Sequence, residues 1–245
     1  MIFNIGDKVH RNVLLSCDHG LMIVNRFDCN SEQVGHGQWL LDHGNTSTIE
    51  AANCYNSIKE YSEPIIFDIG ANIGTFTTWM ARTFPNGKIY SFEPQRAVFQ
   101  MLSGNAAINN LYNVYTYNIG LGKENTKVEF DEPNYFQKND FGTFSLVENI
   151  ITEKTKNKIV VQIQTLDWFL EYYKVPKVHL LKIDVEGMDL DVLSGGYNTI
   201  KKHLPVIFIE HCDNRKSIID PIKEFLDQFD YGYQMIGNNV LCKPQ

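Results

Sequence analysis

From residue 65 onward, short β-branched and apolar runs alternate with stretches of helical spacing. That alternation predicts a mostly parallel sheet with helices on both faces, an α/β fold of Rossmann-like type. Strands are expected over residues 65–69, 88–92, 114–118, 179–184 and 206–210, and helices over 75–82, 95–109, 189–195 and 219–229. Two last apolar runs, 231–236 and 239–243, flank Gly237-Asn238 and predict a terminal antiparallel hairpin.

The first 62 residues follow another pattern. Apolar runs at 13–16 and 21–24 surround Asp18-His19-Gly20, which reads as a small β-hairpin. Ser47-Thr48-Ile49-Glu50 has the capping-box spacing, in which Ser47 satisfies a free helix N–H and Glu50 reaches back. A helix is therefore expected to run to about residue 61, ended by Glu63-Pro64 because the residue before proline avoids the helical region. Residues 1–62 are read as a lead-in or cap, and 63–245 as the main domain. An insertion at about 127–164 breaks the alternation, with strands expected over 128–130 and 159–164. Its aromatics, Tyr135, Phe136, Phe141 and Phe144, are either core packing, or a platform for a sugar or lid over a site.

The most informative stretch is FDIGANIG, residues 67–74, where a buried strand ends in a glycine-bearing loop that opens a helix. Small residues there let a ligand approach the backbone, and the helix N-terminus offers free N–H groups. A dinucleotide fingerprint would read G-x-G-x-x-G, whereas here Asn72 holds the middle position. Asp68, just before the loop, would repel a pyrophosphate and suits a ligand bearing an ammonium or sulfonium. The second strand ends at Glu93, where an acidic residue accepts ribose hydroxyls in folds of this type.

Composition narrows the partners. Asp and Glu number 29 against 22 Lys and Arg, a net charge of −7, which argues against a nucleic-acid binder. The five cysteines are scattered without zinc or disulfide spacing and read as reduced thiols. The N-terminal residues lack a signal-peptide layout and no apolar run is long enough for a bilayer span, so a cytoplasmic protein is expected.

These segments resemble the FkbM family of S-adenosylmethionine-dependent methyltransferases. The resemblance is carried by FDIGANIGTFT (67–77), IYSFEP (89–94), the 105–113 stretch with Asn118-Ile119-Gly120-Leu121-Gly122, TLDWF (165–169) and LLKIDVEGMDLDVLSGG (180–196). It runs in order over about 64–243, and the first 62 residues contribute little. It implies a seven-stranded class I methyltransferase sheet with an antiparallel last strand. It further implies that Asp68, Gly70, Asn72 and Gly74 surround the methionine part of the cofactor and that Glu93 holds the ribose. Asn118 and Ile119 would contact the adenine, with Asn109 as a helper, and S-adenosylhomocysteine would be the product.

Methyl transfer to a hydroxyl needs a base within hydrogen-bond reach. Asp184, Glu186, Glu210 and His211 fall at strand carboxyl ends on the correct edge. Asp184 or His211 is the expected base, with Glu186 and Glu210 positioning the acceptor. The alternatives are helix capping for Asp184 or Glu186, and a structural role for His211. The same carboxylates could hold a divalent metal, since hard oxygen donors suit Mg²⁺. His36 and His43 lack metal-site spacing and are read as structural or surface residues. The acceptor expected is a small molecule or glycan, a sugar first. Two rivals stay open: a nucleotide-sugar or NAD-dependent enzyme on a similar sheet, and a binding protein that uses the fold without catalysis.

Overall fold

The computed structural model describes residues 10–28, 35–139, 141–142, 158–210 and 216–245, with only the backbone of 216–219. Its centre is a seven-stranded sheet in the order β11-β12-β10-β9-β3-β4-β5. These strands are β3 (Ile65–Ile69), β4 (Lys88–Phe92), β5 (Val114–Tyr117), β9 (Leu180–Ile183), β10 (Val206–Glu210), β11 (Tyr231–Ile236) and β12 (Asn239–Pro244). Neighbours are parallel except β12, which runs antiparallel to both β10 and β11. The class I methyltransferase order and its reversed strand are therefore present. The chain builds outward from β3 through β4 to β5, then returns to lay β9 on the other side of β3. That reversal leaves a crevice beyond the carboxyl ends of β3 and β9, where ligands bind in open α/β sheets.

β3 is buried along its whole length, as a strand covered on both faces must be, so its residues show no polar alternation. Phe67 and Ile69 point into a core shared with α5 (Leu166–Tyr173), α6 (Asp189–Gly195), α7 (Tyr197–His203) and α8 (Lys216–Asp227). Phe67 meets the edge of Phe169 at 5.7 Å between centroids, a favoured aromatic geometry. Ile66 points the other way, into a core with α3 (Thr75–Thr83) and α2 (Thr48–Ile58). The buried face of α2, Ala51, Cys54 and Ile58, belongs to this sheet core.

The N-terminal hairpin forms from β1 (Asn12–Cys17) and β2 (Gly20–Asn25). It packs on α4 (Arg96–Ile108), where Asn105 accepts a hydrogen bond from Ile23 N–H at 2.5 Å and donates to its carbonyl at 3.2 Å. The expected capping box is absent: Ser47 sits at φ 55°, makes no side-chain cap bond, and lies 3.4 Å from the Thr75 hydroxyl. α2 also ends earlier than expected, at Ile58. Three helices lacked a clear sequence signal: α5, α7 and α1 (His36–His43). The insertion gives β7 (Thr126–Asp131) and β8 (Lys158–Gln164), which form a small sheet with β6 (Gly120–Leu121).

Candidate active site

Two cavities open side by side at the carboxyl edge of the sheet. The larger, about 220 Å³, has apolar walls that include Phe92, Ile119, Leu121 and Met188. Glu93 is 4% exposed at its edge. One Glu93 carboxylate oxygen accepts from Asn72 N–H at 3.0 Å and the other from Gln95 N–H at 2.7 Å. Burial nevertheless outweighs these bonds and pushes the carboxyl up to about 7.

The glycine loop closes against the next strand. Gly70 has φ +80°, and a Cβ there would meet the Asp184 carbonyl oxygen at 1.8 Å, so only glycine lets the loop pass. Asn72 takes φ 49° and accepts from Ile73 N–H at 2.7 Å through its side-chain oxygen. Its amide therefore donates to His36 Nδ1 at 3.2 Å, which leaves the proton of a neutral imidazole on Nε2.

Of the residues expected to serve the site, Gly70, Asn72, Glu93, Ile119, Asp184, Glu186 and Glu210 all line the larger cavity. Others do not reach it. Asp68 is fully buried under the loop, where it accepts from Thr77 Oγ1 at 2.5 Å and pairs with Lys182 at 3.6 Å. Its expected contact with a ligand cation gives way to this internal one. Gly74 starts α3 against Leu102. The Asn118 amide donates to the carbonyls of Glu93 and Pro94, both at 2.9 Å, and so braces the turn that presents Glu93. Asn109 is spent on Leu21 and Arg82. His211 and Phe144 lie outside the described residues. Tyr135 and Phe141 pack in the core, with Phe141 also lining the cavity, whereas Phe136 is 61% exposed.

Asp184 and Glu210 share a hydrogen bond between their carboxyls. Burial pushes Asp184 up, but the Lys182 ammonium at 2.9 Å together with hydrogen bonds to Glu210 and Lys182 outweighs it and holds the carboxyl below its usual range. Glu210 stands in the mouth, open to solvent yet facing the other acids. The Asp184 charge, with burial second, pushes it up to about 9. The N-cap position of α6 is held by Met188 rather than by Asp184 or Glu186. Among the described residues no group of three His, Cys, Asp or Glu is gathered closely enough to hold a metal ion.

Comparison with known proteins decides the family. The sequence pattern described as the methyltransferase FkbM domain matches residues 68–235. The chain belongs to the FkbM methyltransferase family. It is 29% identical over 178 residues to Methyltransferase 1 of Beauveria bassiana, covering 66% of this chain and 70% of that protein. It is 28% identical over 139 residues to the hexuronic acid methyltransferase AglP of Haloferax volcanii, covering 57% and 52% respectively. The fold resembles the crystal structure of an FkbM methyltransferase from Methylobacillus flagellatus with a TM-score of 0.53 and 16% identity. That match covers 74% of this chain and 44% of the crystal chain, so this FkbM chain spans less than half of that protein.

Sequence reading of this FkbM chain passed over Lys182. It lies in a fully buried strand, is 8% exposed, and is held by Asp184, Asp68 and the Gly70 carbonyl at 3.3 Å. The available signal was a lysine inside an apolar run, since a buried ammonium requires carboxylate partners. Sequence reading also gives His36 as a structural or surface residue, whereas His36 borders both cavities. The described residues contain no helix long and apolar enough to cross a membrane.

Proposed function

We propose that the larger cavity binds S-adenosylmethionine and that the chain methylates a hydroxyl of a small molecule or glycan, a sugar first. The observation that carries this reading is the buried Glu93 carboxylate, fixed by two backbone N–H groups at the edge of an apolar slot. Each of its oxygens keeps a lone pair for a ribose hydroxyl. Ile119, Leu121 and Phe92 provide a dry surface for the adenine. Gly70 and Asn72 border the remaining space. The residues thus fit the cofactor, which when bound supplies a methyl group activated by its sulfonium.

The protein's own work is orientation, exclusion of water and removal of one proton. Lys182 fixes Asp184 between the cavities, and Asp184 with Glu210 forms the acid pair that receives the acceptor's proton. At neutral pH Glu210 carries a proton already. The pair accepts another most readily once Glu210 is ionised, so transfer is expected to quicken toward pH 9. The hydroxyl proton passes to this pair as the oxygen takes the methyl group. AglP, named as a hexuronic acid methyltransferase, supports a sugar ring as the acceptor without fixing the acceptor's charge in this chain. A dinucleotide is disfavoured because no cation lines the larger cavity among the described residues to meet a pyrophosphate.

The test is calorimetric titration of the folded protein with S-adenosylmethionine, S-adenosylhomocysteine and NAD. Micromolar binding of the first two and none of NAD is expected. Binding of NAD alone, or of none by protein that melts cooperatively, would overturn the reading.

A further inference from the structure

The second cavity, about 140 Å³, shares His36, Gly70, Asn72, Asp184 and Glu210 with the first. It therefore meets the cofactor cavity at the acid pair, where a reacting hydroxyl has to sit. Its outer wall is Thr46, Ser47 and Glu50, residues that precede the family-matched segment 68–235. The wall is a property of this chain's own lead-in.

We infer that this cavity is the acceptor site and that it selects uncharged polyhydroxylated acceptors, neutral sugars over their uronic acids, with Glu50 setting the preference. The inference rests on the methyl-transfer reading. Three carboxyl groups face the cavity: Glu50, Asp184 and Glu210. Lys182 is the sole lysine or arginine among the described residues lining it. Its ammonium is already taken by Asp184 at 2.9 Å and Asp68 at 3.6 Å, with the Gly70 carbonyl as a third partner. With Glu210 protonated at neutral pH and Asp184 paired to Lys182, an acceptor carboxylate would meet the Glu50 charge with no spare cation to offset it, a cost that low local dielectric enlarges. Hydroxyl groups face the opposite situation. They donate to carboxylates, and they accept from the Thr46 and Ser47 hydroxyls and from His36 Nε2–H.

The test measures S-adenosylhomocysteine formation by the full chain with methyl hexopyranosides and the matching methyl hexuronides, pairs that differ only at C6. The expected kcat/KM is at least 100-fold higher for the neutral members. Glu50→Gln, which keeps the shape and removes the charge, is expected to shrink that ratio at least tenfold, with the melting temperature and S-adenosylmethionine affinity as controls. Uronides used as well as neutral sugars by the wild type, or an unchanged ratio in a folded Glu50→Gln protein, would overturn the inference. So would no turnover of any panel sugar while S-adenosylmethionine still binds, which leaves the transfer reading standing. Absence of cofactor binding would instead strike the reading beneath it.

Discussion

The two cavities share Asp184 and Glu210 but are built of different material. The larger is an apolar slot edged by the buried Glu93 carboxylate. It is lined by the ends of β3, β4 and β10, by the turns after β3, β4 and β9, by Ile119 and β6, and by Gly35, His36, Phe141 and Gly142. The smaller is a polar recess assembled from the 46–50 turn, the glycine loop, Lys182 and the tip of β10. A slot of the first kind binds by desolvating a flat apolar group and testing it with one polar contact. A recess of the second kind discriminates by charge and hydrogen bonding, because any unmatched polar group inside it is costly. The matched family segment supplies most of both cavities, while the lead-in lends Gly35 to the larger, His36 to both, and Thr46, Ser47 and Glu50 to the smaller alone.

The harshest way to break this comparison is at Lys182, which lines the smaller cavity and holds Asp184, a residue of both. Lys182→Met leaves Asp68 and Asp184 without their cation, and removing one partner of a buried pair costs about 3–5 kcal/mol. For a chain of this size that is a fall in melting temperature of about 6–20 °C. A shift under about 2 °C would show that the buried acids do not depend on it.

A smaller and sharper effect is expected at the acid pair. With an acceptor in hand, the wild-type rate should climb about tenfold per pH unit and level off near pH 9, where Glu210 ionises. Glu210→Gln mimics the protonated form, so it should leave the rate at pH 7 within a few-fold and abolish the climb. A climb that survives the substitution would move the base elsewhere, with His211 the next candidate.

The mildest expected effect is at Ser47. A genuine N-cap serine is worth about 1 kcal/mol, whereas Ser47 makes no cap bond. Ser47→Ala should therefore move the melting temperature by less than about 2 °C while raising KM for the acceptor. A larger thermal loss with KM unchanged would restore the capping role.

The sheet was legible because β3, β4, β9 and β10 are short apolar runs bounded by turn residues, and period and punctuation survive in one dimension. Glu93, Gly70 and Asp184 were legible for a related reason: each closes or follows such a run. Ile119 came through the family resemblance. The N-terminal side of the site was not legible, since His36 and Glu50 reach it only through the packing of α1 and α2. Asp68 misled for the same reason. Its position beside the loop suggested a ligand contact, but its facing neighbour across the register is Lys182. Of the insertion's aromatics, Tyr135 packs in a core, Phe141 both packs there and lines the larger cavity, and Phe136 is exposed, so neither reading covers them all. The capping box failed because the pattern specifies donors and acceptors, not the backbone angle that Ser47 adopts.

The central claim is that Glu93 holds the ribose of S-adenosylmethionine. Its carboxyl, normally near 4.5, is raised to about 7 in the folded chain. The folded state therefore binds more protons than the unfolded state between those values, and Glu93 costs stability progressively as pH rises from about 4.5 to 7. Ribose hydroxyls donate best to the ionised form, so cofactor affinity should rise with pH up to about 7 and binding at pH 6.5 should release protons. Calorimetry in two buffers of different ionisation enthalpy, on wild type and Glu93→Ala, reads both quantities at once. The account predicts proton release by the wild type, and affinity weakened at least tenfold in a folded Glu93→Ala protein with that release gone. Equal affinity and equal proton release in the two proteins would contradict it.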